Sequence, residues 1–108
     1  MIARLWRGWA TRANADSYVD HYLTSVLEHL RQVDGFIDAE LLRRDDGEDV
    51  ELVSITYFES LDAIRTFAGA DWEAAVVAPE AQRLLLRFDE RCSHYAVSVT
   101  ASAADRQR

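Results

Sequence analysis

The chain has one cysteine, one proline and four glycines, and no apolar run long enough to cross a bilayer. A lone cysteine, Cys92, excludes an internal disulfide framework and fits a reducing compartment. The N-terminal segment lacks the uninterrupted apolar core of a signal peptide, because Arg4 and Arg7 break it. Basic residues are in deficit. Twelve against nineteen acids leave a net charge of −7, which argues against nucleic acid or an anionic membrane as a partner. These absences describe a cytoplasmic protein. The glycines, at positions 8, 35, 47 and 69, are explained by turns, caps or a close strand approach. None belongs to a phosphate-binding loop or dinucleotide fingerprint, so no nucleotide or flavin is expected. Cys92 and His94 share a strand face but lack further ligands. His21 and His29 lie too far apart along a helix for joint coordination. No metal and no other cofactor is expected.

What is present is a clear sequence of elements in one domain over residues 1–100. "IARLWRGWA" alternates as a strand, with Ile2, Arg4, Trp6 and Gly8 on one face and Ala3, Leu5, Arg7 and Trp9 on the other. "TRANADSYVDHYLTSVLEHLRQVDGF" has apolar residues at helical spacing from Tyr18 to Val33, with Asn14 as N-cap and Gly35 as terminator. "FIDAELLRR" and "VELVSITYF" form a hairpin across "DDGED". A second helix starts after Ser60, closes at Gly69, restarts at Asp71 and breaks near Pro79, giving two or three pieces. "RCSHYAVSV" is the fourth strand, and residues 101–108 are a polar tail, expected to be disordered. The order β-α-β-β-α-β predicts a ferredoxin-like α+β protomer, a four-stranded antiparallel sheet with both helices on one face.

Helices on one face leave the other bare, yet both faces of strands one and three carry large apolar groups. A monomer would expose more apolar sheet than monomers usually tolerate, so the pattern predicts a homodimer packed sheet to sheet. On the helix side, Trp6, Tyr18, Tyr22, Phe67, Trp72 and Phe88 are all expected to face the space between sheet and helices. Tryptophan and tyrosine carry polar groups that need partners when buried, and Arg4 shares the face of Trp6. Aromatic walls with a few convergent polar groups suit a planar organic ligand. Gly8 would leave room there for a ligand or a close helix.

The segments "MIARLWRGW", "VSITYFESLDAIRTFAG", "DWEAA", "PE" and "FDERCSHYAV" resemble the antibiotic biosynthesis monooxygenase family, of the dimeric α+β barrel superfamily, over roughly residues 1–100. The resemblance implies a ferredoxin-like protomer, a barrel formed by two sheets and a cavity between sheet and helices. It also implies oxidation of polycyclic phenols or anthrones by dioxygen without metal, flavin or haem. A heme-degrading branch uses asparagine, tryptophan and histidine in slots that fall near Trp6, Phe67 and Val76, and none of these matches. The resemblance and the residue types together make His94 the candidate general base, with an ordinary pKa near 6.5. Arg4 is the candidate holder of a substrate anion or developing superoxide. Trp6 and Trp72 would position the ring system, and Tyr22 would donate a hydrogen bond or relay a proton, in a pocket completed by Tyr18, Phe67 and Phe88. The alternatives are a non-oxidative cyclase or isomerase, a module that binds a small aromatic or heme without chemistry, and a small stress-related dimer.

Overall fold

The structure is a computed structural model and describes residues 1–104. The first strand, β1 (Ile2–Thr11), is the centre of the sheet: β3 (Asp49–Phe58) pairs with it along its whole length, from Ile2↔Phe58 to Thr11↔Asp49. β2 (Phe36–Asp46) returns antiparallel on β3, with a bulge between Phe36 and Asp38. The hairpin turns at Gly47, whose φ of +64° an L side chain rarely adopts. The expected ferredoxin-like order results, with β1 and β3 central and β2 at one edge.

The opposite edge departs from expectation. The fourth strand is two short pieces, β4 (Arg87–Phe88) on Gly8 and Trp9, and β5 (Ser93–Ala96) on Ile2 to Leu5. Four residues, Asp89 to Cys92, bulge out opposite two of β1. Glu90 to Cys92 pair instead with residues 73–75: Ala75 N–H donates to the Glu90 carbonyl at 2.8 Å, and Cys92 N–H to that of Glu73 at 2.7 Å.

Between β1 and β2 a single helical run is built from α1 (Arg12–His21), a π-turn (Tyr22–Val26) and α2 (Leu27–Arg31). Its N-cap is Thr11, not Asn14: the Thr11 hydroxyl accepts the Asn14 amide at 3.2 Å. After β3, the Ser60 hydroxyl caps α3 (Leu61–Ala68) as expected. The expected restart at Asp71 does not form. Residues 71–78 are largely irregular, because their backbone groups bond Arg4 and the Glu90–Cys92 bulge, and helix resumes only at α4 (Pro79–Gln82). Of the expected tail, residues 101–104 are exposed and 105–108 lie outside the described residues. Among the described residues no helix is long and apolar enough to cross a membrane.

The helices cover the face of Arg4, Trp6, Gly8 and Ala10, and of Val50, Leu52, Ser54, Thr56 and Phe58 on β3. Two apolar clusters result. One gathers Trp6, Tyr18, Tyr22, Val50 and Leu52; the other gathers Leu30, Val33, Phe58, Ala63 and Ile64. Each fully buried Leu, Ile, Val or Phe here contributes about 1.5–3 kcal/mol. The sheet positions at the seam are not apolar. Arg4, Ser54 and Thr56 occupy it. The opposite face, with Leu5, Val53, Ile55, Tyr57 and Leu42, carries no helix. Arg7 lies on that face and pairs with Asp89 of its own chain at 3.2 Å.

Candidate active site

A cavity of about 40 Å³ lies at the seam between the two clusters. Its floor is a cross-strand square: Arg4 opposite Thr56, and Trp6 opposite Ser54, all on the helix face. Tyr18, Tyr22, Val26 and Leu30 form the helical wall. In an α-helix, four-residue steps drift by about 40° each. The π-turn is wider and takes back part of that drift, so four residues spaced by four reach one cavity. Phe67, Val76 and Cys92 close the remaining side.

Trp6 is fixed from three directions. Its indole N–H donates to the Asp89 carbonyl at 3.0 Å, in the bulge between β4 and β5. Its ring stacks on Tyr18 at 5.9 Å between centroids and tilts against Phe88 at 6.4 Å. The room at Gly8 is used by this ring, not by a ligand or a helix: a Cβ on Gly8 would lie 2.5 Å from Trp6 Cη2.

Arg4 is only 4% exposed. Its Nη1 donates to the Trp72 carbonyl and to Nε2 of His94 at 3.0 Å, and its Nη2 to the Ala74 carbonyl at 2.8 Å. The guanidinium also sits 5.7 Å from the Phe67 ring centroid. Among the described residues it has no carboxylate at ion-pair distance. Burial lowers its pKa, but a guanidinium remains charged at any ordinary pH. The cavity therefore contains a permanent cation with no carboxylate beside it among the described residues.

Four of the six aromatic residues expected around a ligand, Trp6, Tyr18, Tyr22 and Phe67, line this cavity. Phe88 stands behind Trp6, and the Trp72 ring meets the His94 ring edge-on at 4.8 Å. His94 does not line the cavity. It pairs with Arg4 across β1 and β5 and lies behind the guanidinium. Because Nε2 accepts from Arg4, the ring proton belongs on Nδ1, which is enclosed without a partner. Burial, and then the charge of Arg4, hold the His94 pKa below its ordinary value. Burial also raises the pKa of Tyr18, Tyr22 and Cys92, so all three keep their protons near neutrality.

Ser54, Thr56, Val26, Leu30, Val76 and Cys92 complete the lining, and none of them is among the residues expected from sequence to face a ligand. For Ser54 and Thr56 the signal was present, since both fall in the core-facing phase of β3 between Leu52 and Phe58. The Tyr22 and Ser54 hydroxyls lie 3.2 Å apart. A second cleft of about 90 Å³ lies beyond Tyr18, Val26, Phe67 and Val76, which wall both spaces, and it reaches His21, Ser25 and His29. Among the described residues no group of three or more His, Cys, Asp or Glu side chains is arranged to hold a metal ion.

No curated protein sequence matches the chain. Solved structures do. A mutant form of SnoaB, a cofactor-independent oxygenase from Streptomyces nogalater, aligns with a TM-score of 0.67 at 16% identity, covering 92% of this chain and 94% of that one. A monooxygenase of Streptomyces coelicolor in complex with nanaomycin D aligns with a TM-score of 0.58 at 17% identity, over 94% and 92% of the two chains. The heme-degrader MhuD of Mycobacterium tuberculosis, with two hemes bound, gives 0.60 at 17% identity, over 94% and 100%. At such identities the likeness concerns the fold. The sequence profile described as antibiotic biosynthesis monooxygenase matches residues 1–79. With most of the sequence matched by that profile, and this fold around the cavity, the chain belongs to the antibiotic biosynthesis monooxygenase family.

Proposed function

We propose that the protein oxidises an electron-rich aromatic anion, a phenolate or enolate of polyketide type, with dioxygen and without metal or flavin, and that it does so as a homodimer in the cytoplasm. The observation that carries the reading is the guanidinium of Arg4, with no carboxylate beside it among the described residues, in an aromatic cavity. A buried cation without a carboxylate favours the ionised form of a bound phenol over the neutral one. Ionisation raises the electron density of the ring, and electron transfer to dioxygen follows more readily. In balanced form, a ring CH₂ and dioxygen give a carbonyl and water. Arg4 faces the developing negative charge on substrate oxygen and on reduced dioxygen. Trp6, Tyr18 and Phe67 sandwich the ring. His94 acts through Arg4, fixing its Nη1, and the substrate proton leaves to solvent because no residue lining the cavity is a strong base at neutral pH.

The cavity is smaller than the 300–1,000 Å³ typical of ligand pockets, so a ring system enters as the wall shared with the outer cleft yields. Val76, 46% exposed and in the irregular segment, is the part of that wall with the least packing to lose. Dimerisation is supported by the open sheet face, where Leu5, Ile55, Leu42 and Tyr57 lie together without a covering layer. SnoaB, a cofactor-independent oxygenase by description, supports the oxidative reading. Trp6, Phe67 and Val76, near which the family resemblance puts the heme-degrading slots, line the cavity but supply no metal ligand.

The test is oxygen uptake with a panel of hydroxylated anthrones and quinols, with Arg4→Met and Trp6→Phe as comparisons. Uptake that depends on Arg4 supports the reading. Turnover under nitrogen identifies a cyclase or isomerase, and tight binding without turnover identifies a binding module.

A further inference from the structure

Resting on that reading of the cavity, we infer that Tyr22 and Ser54 form a second anchor that makes the site selective for ligands with two separated oxygens. The argument is an inventory of protons. A guanidinium has five N–H groups. Arg4 spends two on Trp72 and His94 from Nη1 and one on Ala74 from Nη2. The Nε proton and the second Nη2 proton have no partner among the described residues.

At the corner of the floor diagonal to Arg4, the Ser54 hydroxyl meets that of Tyr22 from the helical wall, and the two bond only to each other among the described residues. Two hydroxyls carry two protons, and one bond between them uses one. Whichever of the two donates, the other retains an unspent O–H beside the cavity. Both line that cavity, and burial keeps Tyr22 in its protonated, donating form. By contrast, the Thr56 hydroxyl is already spent on the Arg4 carbonyl at 3.4 Å. The surplus of donors is therefore concentrated at two points, one charged and one neutral.

Their separation follows from the pairing. Arg4 faces Thr56, and Ser54 is two residues further along β3, so Arg4 and Ser54 are diagonal neighbours, about 7–8 Å apart at the backbone. That spacing suits an ionised oxygen at Arg4 and a carbonyl at Tyr22–Ser54 at opposite ends of one ring, against Trp6, which also lines the floor. A ligand with one oxygen satisfies the first point only. The ligand class is thus an aromatic oxyanion bearing a carbonyl para to it. In such an anion charge is shared between the two oxygens, and the hydroxyl pair would hold the more neutral one.

The test compares two probes, naphthol and para-hydroxynaphthaldehyde, by fluorescence titration at a pH where both are ionised. The proteins are the unmodified chain, Tyr22→Phe, Ser54→Ala and the double variant, with near-ultraviolet circular dichroism to confirm folding. Each substitution removes a hydroxyl and little else. Either single variant leaves one hydroxyl free to donate, so the expected loss for the aldehyde is small in each. In the double variant both donors are gone, and the aldehyde should bind about tenfold more weakly, equivalent to about 1.4 kcal/mol, while naphthol affinity changes less than twofold. Equal weakening of both probes, or of neither, overturns the inference and leaves the Arg4 reading standing. Binding of neither probe to the unmodified chain overturns both.

Discussion

Arg4 on β1 donates from Nη1 to Nε2 of His94 on β5, 3.0 Å away, so the histidine behind the guanidinium is held in its neutral form by the cation that defines the site. Arg4 and burial both disfavour a charge on His94, and Glu73 opposes them more weakly. The folded-state pKa is thus below the unfolded value of about 6.5. Between those two values the unfolded chain binds more protons, so stability is intact above about pH 6.5 and is lost as pH falls through the folded pKa. In His94→Gln an amide oxygen can accept from Arg4 without titrating. Urea unfolding midpoints measured from pH 7 downward should fall less steeply for His94→Gln than for the parent. Parallel curves would show that His94 does not contribute.

Arg4 also binds the irregular segment to the sheet through the carbonyls of Trp72 and Ala74. Arg4→Lys keeps the charge but loses the planar fork that reaches three acceptors. At least one buried carbonyl then goes unsatisfied, at a cost of about 1–3 kcal/mol. Oxygen uptake should fall by about 10²–10³-fold, the usual effect of misplacing a donor at a developing anion. Urea denaturation and steady-state uptake measure the two losses separately.

Gly8 shows how one contact can reverse a common effect. Replacing a glycine whose backbone is unstrained by alanine ordinarily stabilises by about 0.4–1 kcal/mol, and Gly8 is not among the positive-φ glycines. Here the new methyl would meet the ring of Trp6 at 2.5 Å, and overpacking costs about 1–3 kcal/mol. Gly8→Ala should therefore destabilise, with altered tryptophan fluorescence. Trp6→Phe keeps a ring but leaves the Asp89 carbonyl without its donor, at about 1 kcal/mol. A more stable Gly8→Ala protein would mean that the Trp6 ring is free to move.

The open sheet face makes its own prediction. Leu5 and Ile55 pair across β1 and β3 on that face, away from the cavity. Leu5→Glu with Ile55→Glu should convert a dimer of the 12.3 kDa chain to a monomer in sedimentation. A monomeric parent would remove the dimer from the proposal.

Alternation sorted the residues of β1 into two faces, but not which of the two the helices cover. Arg4 and Trp6 cannot share a face with Leu5 and Trp9 in any strand, and the helices cover the Arg4 side. The long helix was legible from its spacing. What escaped was governed by partners distant in sequence. Residues 71–78 have helical composition, but their carbonyls are taken by Arg4, and their amide and carbonyl groups by Glu90 and Cys92. The same bulge divides the last strand and supplies the Asp89 carbonyl to Trp6. Residue type suggested His94 as a base, but type does not reveal that its acceptor nitrogen is already engaged. Ser54 and Thr56 were visible as hydroxyls in an apolar phase, a signal that carries weight only once a cavity is known to lie above them.

The most direct measurement is the ionisation of a bound phenol. Alizarin changes colour on losing its proton, so its pKa can be read by absorbance when free and when saturated with protein. A buried cation without a carboxylate beside it should lower the bound pKa below the free value, and Arg4→Met should abolish the lowering in a protein that remains folded. A bound pKa at or above the free value, or a lowering that survives Arg4→Met, would contradict the account.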